Sequence, residues 1–513
     1  MVFTSYEFLI FFPIVIGIYF LLPNRFRWLL LVLASYYFYM AWKPVYALLL
    51  FFSTLTFYLA ALGVEKFRDK GLPERLFFFS GLAVNLGMLF AFKYYNFFEG
   101  QARALGGAFG FDLHLPVLDV LLPMGISFYT FQGISYLVDV YRRQLTAERH
   151  FGLMLLYKAY FPLLVAGPIE RGTHFIPQLR KVLLSDNAHR IRFEYDRVVS
   201  GLRLMFLGFF KKIVLADNFA LIVNPVYNAP DEYSGLSALV ATVAFAFQIF
   251  FDFSAYTDIA RGASRVLGFE MIENFNRPYC AINIMEFWQR WHISLSSWFR
   301  DYLYIPLGGN RVAKWRWFVN LWIVFLLCGL WHGASWTFLI WGALHGTYYF
   351  LTYVLTPPAR WLVSHSFLSR FPRLCRLIMV AITFSLVCWA WVMFRAENLA
   401  QALTIWSNIA HIPVEIVGYL VLVVKEGVPF LPLNASGLRW MVVPSDRVSL
   451  MPVYLFGITA FYMLLSHGLR NQDDNQAFSA LLVPYRWATY FFALVAILLL
   501  GRFGASPFIY FQF

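Results

Sequence analysis

Stretches without Asp, Glu, Lys or Arg recur along the chain, at 28–42, 44–64, 76–92, 233–251, 317–359, 377–394, 448–469 and 487–501. A first apolar run at 8–22 precedes them. Softer runs, each interrupted by a charge or two, lie at 116–137, 151–167, 199–222 and 400–424. Runs of this length and apolarity predict membrane helices. As helix, 317–359 would measure about 65 Å, enough for two crossings of a ~30 Å hydrocarbon core. The pattern as a whole predicts an all-α polytopic membrane protein of roughly eleven to thirteen membrane segments. The run at 8–22 is not read as a cleavable signal. It follows Glu7 with no basic residue before it, and it leads into Pro23-Asn24-Arg25-Phe26-Arg27 with no small-residue cleavage site.

Charge between the runs sets an orientation. The loop after the first run holds Arg25 and Arg27, the next holds only Lys43, and the one after holds Lys66, Arg68, Lys70 and Arg75. This alternation predicts an N-terminus outside and basic loops in the cytoplasm. One stretch breaks it. Arg142, Arg143 and Arg149 precede 151–167, while Arg171, Arg180, Lys181, Arg190 and Arg192 follow it, so both flanks belong on one side. A re-entrant or in-plane segment satisfies both.

Composition agrees with a membrane protein and narrows the chemistry. Hydrophobic residues make up 60% of the 513, and charged ones only 13%, against about 25% in soluble domains. Too few charges remain to cover a soluble surface. The net charge of +13 sits in short clusters between apolar runs, which is the layout of cytoplasmic loops and not of a nucleic-acid-binding face. Cys280, Cys328, Cys375 and Cys388 have neither a disulfide framework nor metal-ligand spacing.

Two regions carry candidate chemistry. Between 252 and 316, Trp288, Trp291, Leu295, Trp298 and Tyr302 fall on one helical face, with Gln289, Arg290, Ser296, Ser297 and Arg300 opposite. That pattern predicts a helix in the cytoplasmic interface, stopped at Pro306-Leu307-Gly308-Gly309, and a plain core stripe is the alternative. His292 borders the aromatic face. Asp252 and Asp258, at the end of an apolar run, read as caps or partners for Arg261 and Arg265. The second region is Leu330-Trp331-His332-Gly333-Ala334-Ser335-Trp336, inside the long uncharged run and near the junction of its two crossings. Desolvation penalises a charged imidazole at that depth, and a neutral one is what a general base needs. Gly333 permits close approach of a ligand or backbone, and Trp331 and Trp336 could supply flat walls. His345 reads as a packing residue bonded to a carbonyl.

Several of these segments resemble the membrane-bound O-acyltransferase family. They are Ala166-Gly167-Pro168-Ile169, Asn274-Phe275-Asn276-Arg277-Pro278-Tyr279, Glu286-Phe287-Trp288-Gln289-Arg290-Trp291-His292-Ile293-Ser294-Leu295, the stretch from Trp298 through Arg311, and Gly329-Leu330-Trp331-His332-Gly333-Ala334-Ser335-Trp336. The similarity is to the bacterial branch that includes the alginate O-acetyltransferase membrane subunit, and it extends to Met1-Val2-Phe3 and the last six residues. Ala255-Tyr256-Thr257-Asp258 departs conservatively from the Gly-Tyr-Ser-Asp expected there. The resemblance implies that His332 is the catalytic histidine and His292 a second motif histidine. It also implies a core with a passage through thinned membrane, crossed by acetyl from cytoplasmic acetyl-CoA to a hydroxyl outside. Arg290 and Trp298 are then expected to bear on the donor, and Trp331 and Trp336 to wall the substrate site. No permanently bound cofactor or metal is implied. The implied partners are acetyl-CoA, an exported polysaccharide or a periplasmic or extracellular acetyltransferase protein, and membrane lipid, with no nucleic acid. The implied location is a bacterial inner membrane, with membrane helices at 1–150, the acyltransferase core at 151–395 and further membrane helices at 396–513. A transporter of an anionic or acyl substrate is the rival reading. It predicts paired internal repeats, and the 286–311 motif has no second copy in the chain.

Overall fold

The computed structural model describes residues 1–165, 167–184, 192–426, 455–460, 483–504 and 508–509, and every regular element among them is helical. The chain folds as the all-α membrane protein its pattern predicts. It opens with α1 (Tyr6–Leu21), α2 (Asn24–Met40) and α3 (Tyr46–Lys66), then α4 (Leu72–Leu89), which passes through a π-helical turn at Phe90–Tyr94 into α5 (Tyr95–Ala108). Further on come α6 (Ile126–Tyr141), α7 (Phe151–Ala159), α8 (Gly172–Leu183), α9 (Tyr195–Phe210), α10 (Asp217–Asn228) and α11 (Gly235–Leu267). Among the described residues, four stretches are long and apolar enough to cross a membrane: Tyr46–Lys66, Leu72–Ala108, Gly235–Leu267 and Pro372–Arg395. Other runs make shorter helices. α1 and α6 have 16 residues each, or about 24 Å. Helices of that length span a ~30 Å core only where the membrane thins.

The uncharged run at 317–359 divides as expected into α14 (Lys314–His332) and α15 (Trp336–Ser364). The run at 116–137 does not form one segment. Residues 111–123 have no regular structure, because Pro116 and Pro123 lack the amide a helix needs and restrict the residues before them. α6 begins only after Gly125. The irregular stretch is pinned by side chains: the Asn96 amide donates to Leu118 O at 2.8 Å and accepts from its N–H at 2.9 Å. The Tyr39 hydroxyl donates to Met124 O at 3.0 Å and that of Tyr46 to Leu121 O at 2.5 Å.

The segment expected to be re-entrant, described at 151–165 and 167, turns back on itself. Arg149 before α7 pairs with Glu65 at 3.1 Å, and Arg180 on α8 pairs with Glu148 at 2.7 Å, so both flanks lie at one end of the bundle. The same end holds the Arg143–Asp69 and Arg265–Glu270 pairs and the contact of Arg171 with Asp301 at 3.6 Å. Arg190 lies outside the described residues. The inserted backbone meets its hydrogen-bonding needs inside protein. Phe161 N donates to Ser35 Oγ, Ile169 N donates to Ser294 Oγ, and the Tyr157 hydroxyl donates to Glu170 O, each at 3.1 Å.

The interfacial helix expected around 288–302 is not one helix, and it does not face lipid. It is α12 (Ile284–Arg290), α13 (Ile293–Phe299) and a π-helical turn at Arg300–Tyr304, with a break at Trp291 and His292. Backbone from 274–276 takes the groups a continuous helix would use: Asn276 N donates to Arg290 O at 2.9 Å, and Ile293 N to Asn274 O at 3.0 Å. His292 is left at φ 44°. Trp288, Trp291, Leu295 and Trp298 are all buried, so the stripe is a core stripe.

Asp252 and Asp258 also find other partners than expected. A π-helical turn at Lys211–Ala216 brings two consecutive lysines to α11. Lys211 pairs with Asp258 at 2.6 Å, and Lys212 pairs with Asp252 at 2.6 Å and Asp217 at 2.9 Å. Arg261 and Arg265 turn instead to Glu273 and Glu270. Helices α16 (Pro372–Arg395), α17 (Leu399–Glu426) and α18 (Val483–Leu500) complete the described fold. The run at 448–469 is described only at 455–460.

Candidate active site

His332 is the last residue of α14. Its imidazole is buried among aromatic rings, with centroids 4.9 Å from Trp331, 5.0 Å from Trp341 and 5.1 Å from Phe394. Gly333 follows because a Cβ there would stand 2.2 Å from the Phe338 ring. The close neighbour that the glycine admits is therefore protein. His332 lines a cavity of about 250 Å³ together with Trp331, Lys93, Ser127, Gly125 and Trp42. Gly125 has φ 71°, and a Cβ on it would meet Leu164 O at 2.3 Å, where the re-entrant segment closes against the cavity wall. The cavity lies away from the ion-paired end, among the far ends of α2 and α4 and the start of α6.

His292 is fully buried, not solvated at an interface as its position in the sequence suggests. Its Nδ1 lies 3.2 Å from Asn274 Oδ1. That oxygen already accepts from Ser294 N at 3.1 Å and Ser294 Oγ at 2.9 Å. As an acceptor it requires the His292 proton on Nδ1, which leaves Nε2 with its lone pair and no hydrogen-bonding partner among the described residues. Trp331 stands between the two histidines, 6.0 Å from the His292 ring and 4.9 Å from that of His332. His345 packs beyond Trp341 and accepts from Trp288 Nε1 at 3.3 Å, an indole where a carbonyl was expected.

The remaining candidates separate. Trp331 lines the cavity, and its indole N–H has no acceptor among the described residues. Trp298 stacks on Phe131 at 3.9 Å, and Phe131 lies 5.6 Å from Trp331, so the Phe131 ring separates Trp298 from the cavity-lining Trp331. Arg290 is held by Glu286 at 2.5 Å on its own helix, and Trp336 is 53% exposed and donates to Gln101 Oε1 at 3.1 Å. Neither lines the cavity.

The family model for MBOAT, the membrane-bound O-acyltransferase family, matches residues 148–394, from the start of the re-entrant segment to the end of α16. The chain is 34% identical over 534 residues to the probable alginate O-acetylase of Azotobacter vinelandii, covering 100% of both proteins. The chain belongs to the membrane-bound O-acyltransferase family. It is also 38% identical over 403 residues to the probable alginate O-acetylase of Pseudomonas aeruginosa, covering 78% of this chain and 73% of that one. With the peptidoglycan O-acetyltransferase of Helicobacter pylori it shares 35% identity over 399 residues, 73% of this chain and 72% of the relative. It is thus a membrane O-acyltransferase, and the transporter reading falls.

In this O-acyltransferase, the sequence pattern passed over Lys93, Ser127 and Gly125. Lys93 directly follows the uncharged run at 76–92 and drew no assignment from the pattern. The available signal was the aromatic pattern continuing beyond it, Tyr94-Tyr95-Asn96-Phe97-Phe98, which marks a helix running on.

Proposed function

We propose that this O-acyltransferase accepts an acetyl group from acetyl-CoA at its ion-paired, basic end and delivers it to a hydroxyl that enters the cavity from the other end. The basic end then faces the cytoplasm of a bacterium, in keeping with the charge of its loops, and the cavity faces outward. The observation that carries this reading is His332, a buried imidazole on the wall of a cavity of about 250 Å³. Attack by the hydroxyl oxygen on the thioester carbonyl forms the ester C–O bond. His332 removes the hydroxyl proton as that bond forms, collapse of the tetrahedral species breaks the C–S bond, and the departing thiolate takes the proton from His332. Trp331 Nε1–H, adjacent and without an acceptor among the described residues, is positioned to donate to a substrate oxygen. Relatives named for alginate and peptidoglycan acetylation support an envelope polysaccharide, or a protein that passes acetyl to one, as the acceptor.

The test uses sealed vesicles carrying the full chain, labelled acetyl-CoA on the basic side, and alginate oligomers or muropeptides on the other. His332→Gln keeps a hydrogen-bonding side chain of similar size but cannot act as a base, so transfer should fall by about 10²–10⁴. Transfer near the wild-type rate in that variant would remove His332 from this role and pass it to Nε2 of His292.

A further inference from the structure

The end of α14 poses a local problem. The last carbonyls of a helix have no partner within it, and His332 is the final residue of this one. The cap residue Gly333 answers only Gly329 O, through a long hydrogen bond of 3.3 Å. Two of the remaining carbonyls are met from another helix: Lys93 Nζ donates to Trp331 O at 2.6 Å and to His332 O at 3.0 Å. Its third neighbour is Ser127 Oγ at 3.5 Å. Lys93 sits in the π-helical turn between α4 and α5. Such a turn inserts one residue into a helix and re-aims the side chains around it, and π-bulges occur frequently at functional sites. No carboxylate pairs with Lys93 among the described ion pairs, and it lines the same cavity as His332.

We propose that Lys93 is a positioning residue for the reaction: by holding the carbonyls of Trp331 and His332, it fixes the last turn of α14 and so aims the His332 imidazole at the cavity. This rests on His332 being the base. The orientation of that ring follows from the backbone of the turn Lys93 holds, and the turn leads directly into the irregular 333–335 link. Lys93 acts through His332 and takes no proton itself. Loss of the clamp would let the turn fray, and a displacement of about 1 Å at a reacting group costs up to about 10² in rate.

Lys93→Met, Lys93→Arg and His332→Gln are compared in the full-length protein by labelled acetyl transfer from acetyl-CoA to alginate oligomers. The methionine variant should lose about 10- to 100-fold in kcat, with KM for acetyl-CoA unchanged. Arginine, which can donate to both carbonyls, should restore most of that loss. Combined with His332→Gln, Lys93→Met should cost little more than His332→Gln alone, because two residues acting as a unit are not additive. If the methionine variant fails to accumulate in the membrane, Lys93→Gln is read in its place against the same expectations. Wild-type kcat in the uncharged variant beside an inactive His332→Gln would overturn the Lys93 proposal and leave the base assignment standing. Near-normal transfer by His332→Gln would instead remove the base assignment on which this one rests. A loss fully additive with His332→Gln would show that Lys93 supports the fold and not the histidine.

Discussion

His174 Nδ1 lies 2.7 Å from Glu170 Oε2, while Glu170 Oε1 accepts from Ile272 N at 2.7 Å. One fully buried carboxylate thus ties α8, at the ion-paired end, to the backbone of Ile272, two residues before the Asn274 that bonds His292. The hydrogen bond to Glu170 raises the His174 pKa above its ordinary 6.5, against a smaller opposing effect of burial. A histidine whose pKa rises on folding contributes stability that is fully present below the unfolded value, and loses it as pH climbs through the folded one. Thermal stability in detergent should therefore decline across that interval, and His174→Gln should flatten the decline without abolishing acetyl transfer. An unchanged slope in the variant would show that the proton sits elsewhere. His174 drew no attention in the sequence, because its partner Glu170 lies on the irregular segment before α8, outside any run the pattern singled out. His332 was legible for the opposite reason: it is one of two histidines in 43 residues without Asp, Glu, Lys or Arg, and it alone of the two stands in a Trp-His-Gly motif near the junction of the two crossings. His292 was visible as a motif residue, but its burial was not. The oxygen that fixes its tautomer belongs to Asn274, 18 residues upstream.

At the scale of elements, charge flanking the apolar runs carried more information than the runs themselves. Basic residues on both sides of 151–167 imply a segment that enters and returns, and the pairing of Arg149 with Glu65 and Arg180 with Glu148 holds its flanks at one end. Single cysteines at Arg142, Arg171, Arg180 and Arg192, in a chain whose four native cysteines are replaced by serine, should all react with an impermeant thiol reagent from one side of a vesicle. Reaction of Arg142→Cys from one face and Arg180→Cys from the other would mean that the segment crosses. Periodicity misled where distant backbone intervenes. The spacing of Trp288, Trp291, Leu295 and Trp298 is helical throughout, yet α12 and α13 part between them because residues 274–276 capture their backbone groups. The prolines at 116 and 123 were a readable reason to start α6 late. Helix lengths, by contrast, depend on π-helical turns such as those at Phe90–Tyr94 and Lys211–Ala216, which leave no pattern in hydrophobicity.

On the scale of the whole molecule, the two ends of the bundle differ in kind. One carries Arg143, Arg149, Arg171 and Arg180 with their acidic partners, and Arg142 donating to the Asp301 carbonyl, while the cavity with His332 lies towards the other. Short helices and a re-entrant segment bring those ends close together. The re-entrant tip at Leu164 and Val165 reaches the cavity wall from the basic side, while Met124 and Trp42 bound the cavity from the opposite side. Under the proposed function, a thioester held at one end and a hydroxyl entering at the other would meet at a single imidazole without either crossing a full ~30 Å core. This arrangement makes the enzyme's sidedness measurable. Met124→Cys, treated with a bulky impermeant thiol reagent, should block acetyl transfer only from the face opposite the one where Arg171→Cys reacts. Its block should weaken acceptor use and leave acetyl-CoA binding intact, since nothing at the basic end is touched. Inhibition from the same face as Arg171→Cys would place the cavity on the donor side and reverse the direction of transfer through the molecule.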